Sequence, residues 1–364
     1  MPHQSAVSSN SSQSINLNSQ VLRGLAILSI ILHNYTHWMH GAIFENEFTY
    51  QEWHVSKLLN YLSHPDGRLP LQLLSFFGHY GVVIFVFLSA YGLEKKYGRT
   101  TKEVRPLPFI WTHYLKLLSM CIVGYIGYLL LMIRLVGLPE NGFLEASYLL
   151  SMTSNLYTTQ LGGPHIPGPY WYFGLMLQLY IVYRLFLFRR SWNVVAVAII
   201  ISCIAQAVVT PNGDAMLWLR NNFIGSILPF GLGLLYARYE GAIKLRKRVH
   251  SLIALVSVIL IYTTSLSFIP WLFTPIFVCS LGISSSQLLP QRIQSPIIWV
   301  GEISAAIFVS HPIVRKSVLI LNDKFELQPY LSVLIFLVGA LLVGWGFQPI
   351  LNRSTKLFMK LAKH

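Results

Sequence analysis

The sequence predicts an all-α, polytopic membrane protein with about ten transmembrane helices and both termini in the cytoplasm. Composition, run length and charge placement each lead there. Apolar residues are 54% of the 364-residue chain, charged residues only 11%, and the mean hydropathy is +0.55. A soluble domain carries roughly 25% charged residues, so a bilayer must serve as the solvent. Ten apolar runs are long enough to cross roughly 30 Å of hydrocarbon at about 1.5 Å per residue. When these runs are threaded alternately, 20 of the 27 Lys and Arg fall on the side that holds both termini. Short loops rich in Lys and Arg stay cytoplasmic.

The chain opens on a Ser/Asn/Gln-rich stretch, residues 1–18, which reads as a disordered cytoplasmic tail. It lacks the basic start and small-residue cleavage site of a signal peptide. Residues 19–364 then form one ten-helix domain, with spans at 20–38, 76–93, 115–136, 170–188, 192–210, 218–237, 250–266, 268–286, 297–314 and 331–352. The corner at Phe268–Pro270 divides the seventh span from the eighth. Two connections, Met39–Ser75 and Gly137–Pro169, are long, and such loops serve function or cover a cavity. No internal repeat relates the two halves, which counts against repeat-built transporters.

The net charge of +14 follows from this topology. No basic groove is interleaved with aromatics, so nucleic acid is not an expected partner. The surplus suits anionic membrane lipids and an anionic, nucleotide-bearing ligand on the cytoplasmic side. Cys121, Cys203 and Cys279 lie within spans without pairing or metal spacing, and read as structural thiols.

Polar groups inside spans are costly and mark function. The first span, VLRGLAILSIILHNYTHWMH, holds Arg23, His33, Asn34, His37 and His40. At helical spacing His33, His37 and His40 occupy adjoining turns of one face. Imidazole, with an ordinary pKa of about 6.5, suits general-base work near neutral pH. His33 and His37 are four apart, but no Glu follows them in a metalloprotease pattern and no third ligand is evident, so no metal is expected. The competing reading makes Arg23 a headgroup anchor and His40 an interfacial residue. Further polar candidates are His79 in the second span, Trp171, Tyr172 and Gln178 in the fourth, and Glu302, Ser304 and His311 in the ninth.

Four segments, LRGLAILSIILHN, GHYGVVIFVFLSAYGL, WYFGLMLQLY and GEISAAIFVSHPIV, together resemble the acyltransferase-3 family of integral membrane acyltransferases. They stand in family order and span the chain. Arg23 and His33 match the first-helix Arg and His. Ser89, Tyr91 and Gly92 match a Ser-Gly-Phe/Tyr segment, with Ala90 replacing its glycine. Trp171 and Tyr180 match the fourth-helix pair, and Ser304 and His311 the ninth-helix pair. Three departures stand out: nine residues separate Arg23 from His33 instead of ten, Met176 replaces a frequent Glu, and Ala305 and Phe308 replace tyrosines. In a regular helix Asn34, not His33, shares the meridian of Arg23, so either the helix is irregular or His33 faces differently, and His37 stays an alternative base.

The resemblance implies a bacterial inner-membrane enzyme that moves an acyl group, usually acetyl, from cytoplasmic acetyl-CoA to a hydroxyl of a glycan, polysaccharide or glycolipid. On that reading Arg23, Lys95, Lys96, Arg99, Lys102 and Arg105 hold the phosphates and His33 or His37 acts as base. Trp171, Tyr172 and Gln178, with His79, Ser304 and His311, line the acceptor side. The rival is a transporter or flippase of a lipid-linked glycan, which needs no base.

Overall fold

The computed structural model describes residues 17–156, 165–243 and 245–362. These are 80% helix, and no strand occurs among them. Apart from Leu17 and Asn18, the expected polar tail lies outside the described residues. Those two belong to the fold. Leu17 is buried, and Asn18 caps the first helix, its Oδ1 accepting the Val21 N–H at 3.2 Å.

Helix α1 (Ser19–Thr36) is followed by α2 (Glu52–Ser63) and α3 (Leu69–Phe77). A 3₁₀ turn at Gly78–Tyr80 joins α3 to α4 (Gly81–Leu93). Next come α5 (Pro106–Val136), α6 (Gly142–Leu150), α7 (Trp171–Val182), α8 (Trp192–Ala207), α9 (Asp214–Asn221) and α10 (Phe223–Tyr239). The chain continues through α11 (Lys247–Thr264), α12 (Phe268–Trp271), α13 (Thr274–Leu288), α14 (Gln291–Glu302), α15 (Ser304–Phe325) and α16 (Pro329–Leu361).

Each of the ten expected spans contains helix, but their boundaries shift. Five segments are long and apolar enough to cross a membrane: Leu69–Gly98, Pro106–Val136, Lys247–Thr264, Ser304–Phe325 and Pro329–Leu361. The second span starts at Leu69 and not at residue 76, because Pro70 sits in the first helical turn, where its missing N–H costs nothing. Both long connections carry helices of their own, α2 and α3 in the first and α6 in the second. The sixth span is broken at Asn222, whose extended backbone separates α9 from α10.

Where α1 sits explains its polarity. It packs against α3, α4, α14, α15 and α16, and ten of its residues, His33 among them, are buried. By contrast, α8 presents Val197, Ile200, Ile201 and Ile204, and α11 presents Leu252, Leu255 and Ile259, to the outside. Broad exposed apolar faces of this kind belong against lipid. The protein is a multi-pass membrane protein with the helix that carries Arg23 and His33 packed inside the bundle.

Hydrogen bonds separate two ends of the bundle. At the basic face Arg184 donates to the Val104 carbonyl at 2.8 Å and Arg238 to the Arg190 carbonyl at 2.7 Å. There the buried Glu94 accepts from Arg238 at 2.9 Å and lies 3.4 Å from the Tyr183 hydroxyl. Removing one partner of a buried ion pair costs roughly 3–5 kcal/mol, so this pair fastens α4 to α10. Both acceptor and hydroxyl start π-helical turns, Glu94–Gly98 and Tyr183–Leu187, a feature common beside functional sites. At the opposite, loop face Arg220 donates to the Glu47 carbonyl at 2.5 Å and the Tyr50 N–H to the Pro211 carbonyl at 3.0 Å.

Candidate active site

Toward the basic face, a cavity of about 220 Å³ opens between α1, α4, α5, α7 and α15. Among the described residues its polar lining consists of Arg23, Ser89, His113, Lys116, Tyr172, Tyr180 and Ser304, without a carboxylate. The Ser89 Oγ and Tyr180 hydroxyl are 3.1 Å apart, and the His113 and Tyr180 rings lie 4.6 Å apart between centroids. Lys116 is in electrostatic range of both Arg23 and Lys96. Two cations therefore line the opening, with a third, Lys96, in electrostatic range of Lys116 and no carboxylate among the described lining residues, which favours an anion there. Helix α5 supplies His113, Lys116 and Met120 because residues three and four apart share a face.

The basic loop residues divide. Arg23 lines the cavity, and Lys96 lies over the Tyr97 ring at 4.9 Å from its centroid. Lys95 is engaged by Glu240, Arg105 lies 3.4 Å from Glu103 with both side chains largely exposed, and Arg99 reaches the Arg238 carbonyl at 3.4 Å. The sequence reading missed His113 and Lys116. Their signal was present as H-x-x-K at the inner end of the third span, where a lysine counts as a loop residue until the helix is seen to start at Pro106.

One turn farther along, three histidines form a layer above the cavity. Ile30, Val82 and Phe308 line the cavity, and His33, His79 and His311 stand three residues from each of them on the loop-face side. The His33 ring lies 5.1 Å from the His37 ring and 5.5 Å from that of His79. His33, His79 and His311 are all buried. Helix α1 stays regular, so His33 does face differently: about 80° of rotation separates it from Arg23. That turn points it at α3, where its Nδ1 donates to the Ser75 carbonyl at 2.8 Å. A carbonyl only accepts, so Nδ1 carries the proton and Nε2 is the basic nitrogen. Gly78 allows this approach, since a Cβ there would lie 2.7 Å from the His33 Cβ and 2.9 Å from the Ser29 carbonyl oxygen.

His311 reaches the same tautomer by another route. Pro312 lacks an N–H, which would leave the Phe308 carbonyl four residues earlier without its helical donor. The His311 Nδ1 fills that place at 2.8 Å, and its Nε2 has no partner among the described residues. Among the described residues, no partner meets hydrogen-bond geometry for either ring nitrogen of His79 or for Nδ1 of His37. Arg315, one turn beyond His311, lies in electrostatic range of His33, His37 and His311; the sequence reading had left it among the loop charges.

The first long connection covers this layer. Phe44 packs on the His37 ring at 3.7 Å between centroids, and the next residue, Glu45, pairs with His54 at 2.9 Å, both buried. Burial raises the Glu45 carboxyl and lifts that of Glu47 to about 7. Trp171 packs against Phe48 at 4.9 Å and shares a small recess with His79, Glu47 and Arg220. Gln178 does not join the site. Its amide donates to Asn222 Oδ1 at 2.8 Å and accepts the Phe223 N–H at 3.0 Å, binding α7 to the α9–α10 break. Among the described residues, no cluster of His, Cys, Asp or Glu is placed to hold a metal.

The arrangement thus has a cationic end, a throat of hydroxyls and a layer of buried imidazoles. Among curated proteins and among solved structures the chain has no match. The acyltransferase-3 model, described as an acyltransferase domain, matches residues 16–348 and so covers α1 through most of α16. With nearly its whole length matched, including both the cavity and the histidine layer, the chain belongs to the acyltransferase-3 family.

Proposed function

We propose that this protein transfers an acyl group, most simply acetyl, from cytoplasmic acyl-CoA to a hydroxyl of a glycan, polysaccharide or glycolipid. The proposal includes ten spans, a cytoplasmic basic face with both termini, and a bacterial inner membrane. The observation that carries it is the polarity of α1: Arg23 in a cation-lined cavity at one end, His33 with a fixed tautomer toward the other.

In this reading Arg23, Lys116 and Lys96 attract the donor's phosphates, Arg23 as a planar fork. Ser89, Tyr180 and Ser304 lie beside the acyl arm, and Tyr172 and Trp171 mark the way to the acceptor. The acceptor oxygen forms its bond to the thioester carbonyl carbon while its proton passes to Nε2 of His33. The C–S bond breaks, and the departing thiolate takes up that proton to leave as the CoA thiol. A base placed in this way contributes about 10²- to 10⁴-fold. His37, with Nδ1 unbonded, is the second candidate.

The test is turnover of acetyl-CoA by purified protein with a panel of glycan acceptors, wild type against His33→Ala and His37→Ala. Loss with His33→Ala and survival with His37→Ala assigns the base. Full transfer by both variants overturns both base assignments, and no turnover by the wild type leaves the transporter reading instead.

A further inference from the structure

A second recess opens at the loop face, apart from the cavity and the histidine layer. Its volume is about 480 Å³, and it lies between the end of α1, the start of α3 and the turn joining α15 to α16. Small-molecule sites span about 300–1,000 Å³.

Its lining has two parts. Leu71, Leu319 and Leu327 form an apolar floor, and Arg68, Asp323 and Glu326 stand at the rim. The three charged rim residues are exposed, and none makes an ion pair or a side-chain hydrogen bond among the described residues. Trp38, 54% exposed, flanks the opening. The walls are held firmly even so. The Gln72 amide accepts the Ile43 N–H at 2.8 Å and donates to the Gly41 carbonyl at 3.2 Å, and the Tyr330 hydroxyl bonds the Gly67 carbonyl. Glu326 ends α15 with φ of +47°, a left-handed conformation that a non-glycine residue adopts at a cost. A rigid frame with uncommitted donors and acceptors is built to meet a ligand's polar groups.

We propose that this recess binds one pyranose unit of a neutral or amino-bearing saccharide. A pyranose has an apolar C–H face and a rim of hydroxyls, which match the leucine floor, the indole and the mixed charged rim. Two carboxylates against one guanidinium select against anionic sugars. The recess begins one turn, about 5 Å, beyond His33 on α1, because Thr36 both lines it and sits 3.4 Å from the His33 carbonyl. A unit held there keeps the adjoining saccharide near the histidine layer. In that last respect the proposal rests on the glycan-acylation reading.

The test is saturation-transfer NMR on the full-length, detergent-solubilised protein with methyl glycosides of glucose, galactose, glucosamine and glucuronic acid. The expected result is transfer to the ring C–H protons of at least one neutral or amino glycoside, with glucuronide weaker. The double variant Arg68→Gln/Asp323→Asn, with an unchanged melting temperature, raises the dissociation constant at least about tenfold. Absence of transfer to every glycoside, an unchanged constant in the double variant, or tighter glucuronide binding overturns it. Binding is read without turnover. If the wild type shows no acyl-CoA turnover with any glycan while these glycosides still bind, the acylation reading alone has failed.

Discussion

The two ends of the central cavity solve opposite electrostatic problems. At the basic end, Arg23 and Lys116 line the cavity, Lys96 is in electrostatic range of Lys116, and no carboxylate stands among the described lining residues. The neighbouring Glu94 and Glu240 are already taken by Arg238 and Lys95. At the other end the groups nearest the cavity are imidazoles, which can be buried because they can be neutral, with Arg315 and Arg220 placed beyond them. On the proposed reading, one end serves binding and the other proton transfer.

His33→Ala is the strongest test of this division. It is expected to lower kcat for acyl transfer by about 10²- to 10⁴-fold while acyl-CoA affinity, read by calorimetry, stays within a factor of about three. A parallel loss of donor affinity would show the two ends to be one site. Arg23→Ala should do the reverse, raising the KM for acyl-CoA about 10- to 100-fold, as removal of a charged hydrogen bond does, and weakening its dependence on salt. An unchanged KM for the donor would remove Arg23 from the cationic end.

Gly78→Ala sharpens the geometry. The added methyl would meet the His33 Cβ at 2.7 Å and a backbone oxygen at 2.9 Å, so the melting temperature should fall by the equivalent of about 1–3 kcal/mol, with kcat reduced more than KM for the donor.

The smallest effect is in the covering loop. The folded-state carboxyl of Glu47 is lifted to about 7 from an ordinary 4.5. The folded protein then holds a proton that the unfolded chain has lost, so stability declines as pH rises from about 4.5 to about 7 and levels off above. Glu47→Gln should flatten that decline and raise stability at pH 8 by about 1–3 kcal/mol at most. Thermal melts across this pH range check it, and an unaltered profile would show that the carboxyl is not held neutral.

How far the sequence reached depended on the kind of signal. Helical class, the presence of membrane-crossing apolar helices and the prominence of Arg23, His33, His79, Ser304 and His311 were legible because hydropathy and a polar residue in an apolar run stand out locally. Gln178 shows the limit of that signal: its mid-span amide called for a partner, and only the fold shows that a helix junction supplies one. Lys116 and Arg315 were counted with the loops because helix ends cannot be placed within a turn from composition. Lys95 and Arg105 looked available until their carboxylate partners, one of them 145 residues away, were seen beside them.

The sequence by itself determined the membrane as solvent, the helical class and the family, because hydropathy, charge and motif order are properties of neighbours along the chain. Only the tertiary structure decided that α1 is the central helix and that His33 turns toward Ser75. It also decided that His113 and Lys116 join Arg23 and that a loop pair closes over His37. These depend on which side chains meet across helices, and the rotation of one packed helix against another is set by close approaches such as Gly78 to His33, which no periodicity along a single chain records.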